Sequence, residues 1–324
     1  MTGVPLTIAL SDSDRTRPIA RGAVPIKGVD ASVTLMGVQA LFNHQLTTHE
    51  YDCCEFPIAT YLRTLEQQEQ PYLAIPIFPS RHFRLSDVFI NTTKGIDKPS
   101  DLAGKRIGVS VFDMAAAVWL RGIFEEYYDL PRTAPIYVAG GLETLRSGDE
   151  HPQHYPDQFN CEERLDSSLS DLLAAGEIDA IYTARAPSCW PSDNVTRLFD
   201  DPIPEELSYF EKTGIYPAMH VLAIKRKIAE ANPEVVPALY EAFVEGQAVA
   251  RAQLFDSAAL ATMLPWQLEA LLFAEEKLGT DYWAHGLAAN RTMLETVIRY
   301  LLADELIATS YAPEDLFSAD MHGT

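Results

Sequence analysis

The chain is short of the signatures by which many ligand chemistries announce themselves. It holds no GxxxxGK[ST] loop and no GxGxxG run, so no motif supports nucleotide binding. It has no GxSxG elbow and no acid–His–Ser order, which argues against serine hydrolysis. Basic residues are scarce: 25 Lys and Arg stand against 46 Asp and Glu, for a formal net charge of −21. A nucleic-acid partner needs a basic face, and an anionic membrane would repel this surface. No stretch reaches the ~20 apolar residues of a membrane span. The four cysteines, Cys53, Cys54, Cys161 and Cys189, form no CxxC, and an adjacent pair is poor disulfide geometry. The N-terminal MTGVPLTIALSDSDRTRP lacks a basic segment ahead of its short apolar run, unlike a secretory signal. A cytoplasmic protein with reduced thiols is expected, with no metal site and no cofactor.

What is present is a packed core. Apolar residues make up 47% of 324 positions, enough for about two domains. The stretch IPIFPSRHFRLSDVFIN, Ile75 to Asn91, reads as strand, polar loop and strand. Its loop gathers Ser80, Arg81, His82 and Arg84, and polar loops held by strands are where binding chemistry concentrates. Two guanidiniums and an imidazole suit a small anion, because the Arg fork matches a carboxylate. The same charges also fit a solvated connection.

Leu6 to Leu10 predicts a first strand, running into a loop with Asp12, Asp14, Arg15 and Arg17. Val24 to Leu35 reads as a hairpin-type excursion around Gly28, and Val38 to Leu46 as a helix. Asp52 to Phe56 predicts a buried strand carrying Glu55, a carboxylate that needs a partner or a function. Arg106 to Val111 and Pro135 to Ala139 predict further strands around a helix over Asp113 to Tyr128. Residues 146–164 read as a surface loop, with His151 and His154 facing solvent. LSDLLAAGEIDAIYTA predicts a helix closed by Gly176 and a strand that ends at Arg185, with Ser188 close behind. Val195 to Phe199 is a short strand, and His220 to Ile224 is read as a return to the first domain. The remainder to Leu306 has helical spacing, and Trp266, Leu268, Leu271, Leu272 and Phe273 fit either core packing or a subunit contact. The order favours two α/β lobes: residues 1–97 with 215–324, and residues 98–214, with the ligand cleft expected between their loops.

The segments ALSDSDRTRP, YDCCEFPIATY, IPIFPSRHFR, DLAGKRIGV, LLAAGEIDAIYTARAPS, TGIYPAMHVLAIKR and DYWAHGLAANR together resemble 4,5-dihydroxyphthalate decarboxylases, relatives of the type II periplasmic binding proteins. The resemblance covers nearly the whole chain. DLAGKRIGV and LLAAGEIDAI are shared with many binding-protein relatives, whereas SRHFR, RAPS and GIYPAMH are more specific in combination. It implies a two-lobed type II periplasmic-binding-protein-like α/β fold with a helical C-terminal region. It also implies loss of CO₂ from a small aromatic dicarboxylate, giving protocatechuate. A non-catalytic solute-binding protein for a small anion, or another lyase of this fold, are the alternatives, since the fold alone does not fix the reaction.

Decarboxylating such a ring requires a proton on the carbon that bears the carboxylate, with the para hydroxyl pushing electron density there. The protein must then hold two carboxylates, polarise the catechol and supply a proton. Arg81, Arg84 and Arg185, with Ser188, are the candidate carboxylate ligands, and Arg15 and Arg17 an alternative clamp. His82 or His220 is the candidate proton donor, because imidazole titrates near neutral pH. Glu55 or Asp14 is the candidate acceptor from a catechol hydroxyl. A homo-oligomer is left open.

Overall fold

The computed structural model describes residues 3–146 and 155–324. These form two compact units: Met1–Arg81, Ala218–Glu295 and Tyr311–Thr324 make unit 1, and His82–Pro217 with Thr296–Ser310 make unit 2. Unit 1 opens with β1 (Val4–Ser11), α1 (Arg17–Ala20), β2 (Val29–Met36), α2 (Val38–Thr48), β3 (Cys53–Pro57), α3 (Ile58–Thr64) and β4 (Tyr72–Ile75). Unit 2 follows with β5 (Val88–Asn91), β6 (Arg106–Val109), α4 (Ala115–Tyr127), β7 (Ile136–Ala139), β8 (Asn160–Glu163), α5 (Leu169–Ala175), β9 (Ala180–Tyr182), β10 (Val195–Arg197) and α6 (Ile203–Thr213). The chain returns through β11 (His220–Lys225), α7 (Arg226–Ala231), α8 (Val235–Phe255), α9 (Gln267–Leu278) and α10 (Arg291–Ala303).

The unit 1 sheet has the order β2-β1-β3-β11-β4. Strands β2, β1 and β3 run parallel, and β11 pairs antiparallel with both β3 and β4. Cys53, Cys54, Glu55 and Phe56 are all fully buried on β3, as expected of a strand covered on both faces. The two cysteines are free, and burial pushes both thiols well up, which leaves them inert as nucleophiles. The unit 2 sheet has the order β10-β5-β9-β6-β7-β8. Its core gathers Phe89, Val138, Leu169, Leu173, Ile178 and Ile181. Gly176 caps α5 at φ 71°, a left-handed conformation that only glycine adopts without strain.

Four expectations need correction. Residues 24–35 form no hairpin: β2 lies parallel to β1 along its whole length, and α1 with the turn at Gly28 makes the crossover. The strand near Ile75 ends at that residue, since Pro76 has no N–H to continue the ladder. β8 falls inside residues expected to loop; it is a polar edge strand, and its sequence NCEE carries no apolar alternation. Residues 82–97 and 215–217 belong with unit 2 rather than the first lobe, because β5 pairs with β9 and β10. Residues 296–310 join them. His151 and His154 lie outside the described residues.

Candidate active site

Three adjacent strands of unit 1 carry a hydrogen-bonded trio. Ser11 ends β1, Glu55 sits within β3, and His220 opens β11. The register sets Leu222 opposite Glu55, which makes His220 its diagonal neighbour on the same face. Glu55 Oε1 lies 2.6 Å from His220 Nδ1. Its Oε2 accepts from the Ser11 amide at 2.9 Å and the Ser11 hydroxyl at 2.5 Å. Burial pushes the Glu55 carboxyl up, but the bonds and charge from His220, with those from Ser11, outweigh it. The group is held below the ordinary carboxylate range. An ionised Glu55 accepts only, so Nδ1 of His220 carries the donated hydrogen. Phe42 packs edge-on against the imidazole, at 4.8 Å between centroids. His220 thus has one nitrogen committed and its ring orientation fixed.

A second cluster of unit 1 adjoins this trio through the backbone. The Ser80 carbonyl accepts from the Met219 amide at 2.8 Å and the His220 amide at 3.3 Å. Thr16 donates its hydroxyl to the Ser11 carbonyl, which ties the β1 loop down. Arg15 donates Nε to the Pro79 carbonyl at 2.9 Å, ion-pairs with Asp14 at 2.6 Å and lies 4.3 Å from the Trp283 ring centroid. Trp283 donates its indole N–H to the Phe78 carbonyl at 3.0 Å. Arg81 is buried; its Nη2 donates to the Ala284 carbonyl at 2.8 Å and to the Asn290 side-chain oxygen. Asn290 is itself fixed by donating to the Ala284 and Gly286 carbonyls. The Phe78 amide donates to His285 Nδ1 at 3.1 Å. Burial and the positive charges of Arg81 and Arg15 depress His285 to a pKa of about 3.

Unit 1 therefore brings Asp14, Arg15, Glu55, Arg81 and His220 into one bonded neighbourhood. Asp14 is already paired with Arg15, and Glu55 is satisfied by Ser11 and His220 rather than by an arginine. Arg17 pairs instead with Asp12 at 2.6 Å, in the open. In unit 2, Arg84 is buried against Asp87 at 2.7 Å, and His82 Nε2 is 3.8 Å from the same carboxylate. His82 is half exposed, and burial with the nearby Arg84 charge lowers its pKa. Arg185 is exposed. Ser188 donates both its amide and its hydroxyl to Glu143, so its hydroxyl is committed to a carboxylate. Sequence reasoning missed Trp283, His285 and Asn290, although the DYWAHGLAANR segment had been singled out. A tryptophan, a histidine and an asparagine within eight residues of a helical region were the available signal. Among the described residues, no group of three or more His, Cys, Asp or Glu side chains is placed to hold a metal ion.

No family model matches the chain. A 4,5-dihydroxyphthalate decarboxylase from Comamonas testosteroni is 34% identical over 320 residues, covering 98% of this chain and 97% of the relative. The chain belongs to the 4,5-dihydroxyphthalate decarboxylase family. A second enzyme of that name, from Pseudomonas putida, is 35% identical over 62% of this chain and 80% of its own length. The expectation of a carboxy-lyase holds with this membership. Among solved structures, the periplasmic aliphatic sulphonate binding protein SsuA from Escherichia coli superposes with a TM-score of 0.55 at 12% identity, covering 99% of each chain. The desulfurization enzyme DSZB gives 0.52 at 15% identity, covering 99% of this chain and 98% of that one. At such identities the likeness speaks for the fold, which is the expected two-lobed α/β, type II periplasmic-binding-protein-like class. Binders and enzymes share it, so family membership and not architecture decides for decarboxylation.

Proposed function

We propose that this chain releases one carboxylate of 4,5-dihydroxyphthalate as CO₂ and leaves protocatechuate, with His220 delivering the proton to the ring. The observation that carries the role of His220 is its buried partner: Glu55 holds Nδ1 at 2.6 Å and leaves Nε2 for chemistry. The ring carbon bearing the departing carboxylate takes a proton from Nε2–H of the imidazolium, while the para hydroxyl feeds electron density to that carbon. The C–C bond then breaks, its electron pair restores the aromatic ring, and CO₂ leaves. Solvent returns a proton to Nε2. Glu55 orients the ring and balances the imidazolium charge, so it acts as a positioning residue. Arg15, held between Asp14, the Pro79 carbonyl and the Trp283 face, is the carboxylate ligand this neighbourhood offers. The ring is its own electron sink, and the sequence of steps assigns none to a cofactor.

Incubating the purified protein with 4,5-dihydroxyphthalate should release CO₂ and protocatechuate in equal amounts. Tight binding without CO₂ would sink the proposal in favour of a binding protein. Two coarser features fit the same reading. The four free thiols suit a reducing compartment such as the cytoplasm. Met263 and Trp266 are exposed beside Leu264 and Leu272, a surface that suits a second copy of the chain; light scattering giving a monomer mass at micromolar concentration would discard that part.

A further inference from the structure

His285 has no part in the steps above, yet its surroundings are specific. A ring nitrogen that accepts from the Phe78 amide bears no proton, so the single hydrogen of this imidazole is on Nε2. That Nε2–H has no hydrogen-bond partner among the described residues, and the ring is only partly buried. Protonating Nδ1 would set two N–H groups against each other, with Arg81 and Arg15 opposing the added charge. The group is therefore a neutral donor beside a guanidinium, unable to act as an acid near neutral pH.

We infer that His285 donates its Nε2–H to the carboxylate that the substrate keeps, alongside Arg15. The inference rests on the decarboxylase reading. A departing carboxylate loses its charge as the C–C bond breaks. Cations and donors fixed on it would stabilise the ground state more than the transition state and slow the step. Positive groups and their supporting donors belong on the carboxylate that stays charged from substrate to product. Arg15 is pre-set by its indole stack and its Pro79 bond, and His285 by the Phe78 amide, so both are fixed from the Phe78–Pro79 backbone. The retained carboxylate would then hold the ring in place while His220 works on the other.

The test uses full-length protein and protocatechuate as the probe, since it carries only the retained carboxylate. Calorimetric binding is measured beside turnover of 4,5-dihydroxyphthalate, for wild type, His285→Ala and His285→Gln. Loss of a hydrogen bond to a charged group should raise both KM and the protocatechuate Kd of His285→Ala roughly tenfold or more, with kcat within about threefold. His285→Gln, whose amide can still donate, should recover part of the loss. An unchanged Kd in His285→Ala, or a collapse of kcat with Kd intact, overturns the inference. Should His285→Ala not fold, His285→Gln against His285→Met gives the same contrast, because Met cannot donate. Wild type that binds the probe through His285 but releases no CO₂ would retain the carboxylate contact and discard the decarboxylase reading. CO₂ release with no dependence of binding on residue 285 would do the reverse.

Discussion

Each unit buries a charged cluster, and the two are finished differently. In unit 2, Asp304 is fully buried and grips two arginines. Arg121 meets its Oδ2 at 2.7 Å and Arg132 its Oδ1 at 2.8 Å. The Arg121 guanidinium is also boxed by Phe112, 4.2 Å from its ring centroid, with Tyr137 and Phe159 beyond. Glu125 closes the far side of Arg132. In unit 1, Glu55 is equally buried but ends on a histidine that stays 14% exposed along its side chain. Both clusters reach solvent at one end: the unit 2 end is Glu125, a 37% exposed carboxylate held by Arg132, whereas the unit 1 end is an imidazole at the start of β11 with only Nδ1 committed. Desolvating an ion costs several kcal/mol in either place, and only the unit 1 cluster ends on an imidazole, the side chain the proposed reaction needs.

Substitutions should separate the two, and the widest gap is expected at their ends. His220→Ala should lower kcat by about 10²- to 10⁴-fold, the usual worth of a general acid, and should also lower the unfolding free energy, because it leaves the buried Glu55 carboxylate without its imidazole partner. Steady-state kinetics with urea denaturation read both quantities. Asp304→Ala should act on stability alone, costing roughly 3–5 kcal/mol by stranding two buried guanidiniums while kcat per folded molecule stays near wild type. A large kcat loss in folded Asp304→Ala would erase the contrast. Glu55→Gln should fall between them, with kcat down about 10- to 100-fold, because the amide oxygen still accepts from Nδ1 but carries no charge.

The pH dependence is gentler. The Glu55 carboxyl is held below its ordinary 4.5, so folding draws on its ionised form above that pH and loses the contribution as acid titrates it in the folded state. The stability gap between wild type and Glu55→Gln should therefore narrow as pH falls through and below about 4.5; a gap that widens would reverse the sign. The smallest effect belongs to His82→Ala. That half-exposed ring stands outside both clusters, and turnover should stay within about twofold.

Much of the frame was legible in the sequence. Buried apolar runs marked β1, β3 and β11, and LSDLLAAGEIDAI gave a helix, its glycine cap and the following strand because each obeys local rules. Glu55 stood out as a carboxylate in an apolar strand, and His220 as a polar residue opening one; their pairing across 165 residues was not visible, since periodicity says nothing of which strands adjoin. The loop arginines were harder. Arg81 and Arg84 read as carboxylate ligands on a cleft-facing loop; both are buried, Arg81 bonded to Asn290 and Arg84 to Asp87. A guanidinium in a polar loop looks the same in sequence whether its partner is a ligand or a residue 209 positions away. His285 was passed over for the same reason, as its bonded partner is an amide 207 positions distant.

The trio of Ser11, Glu55 and His220 occupies neighbouring strands, so its spacing is ruled by main-chain ladder geometry and not by any loop. The groups that would grip the ring's substituents come from elsewhere, at Arg15, Pro79 and residues 283–285. An engineer could thus randomise the segments proposed to grip the ring while the Ser11–Glu55–His220 trio keeps its alignment.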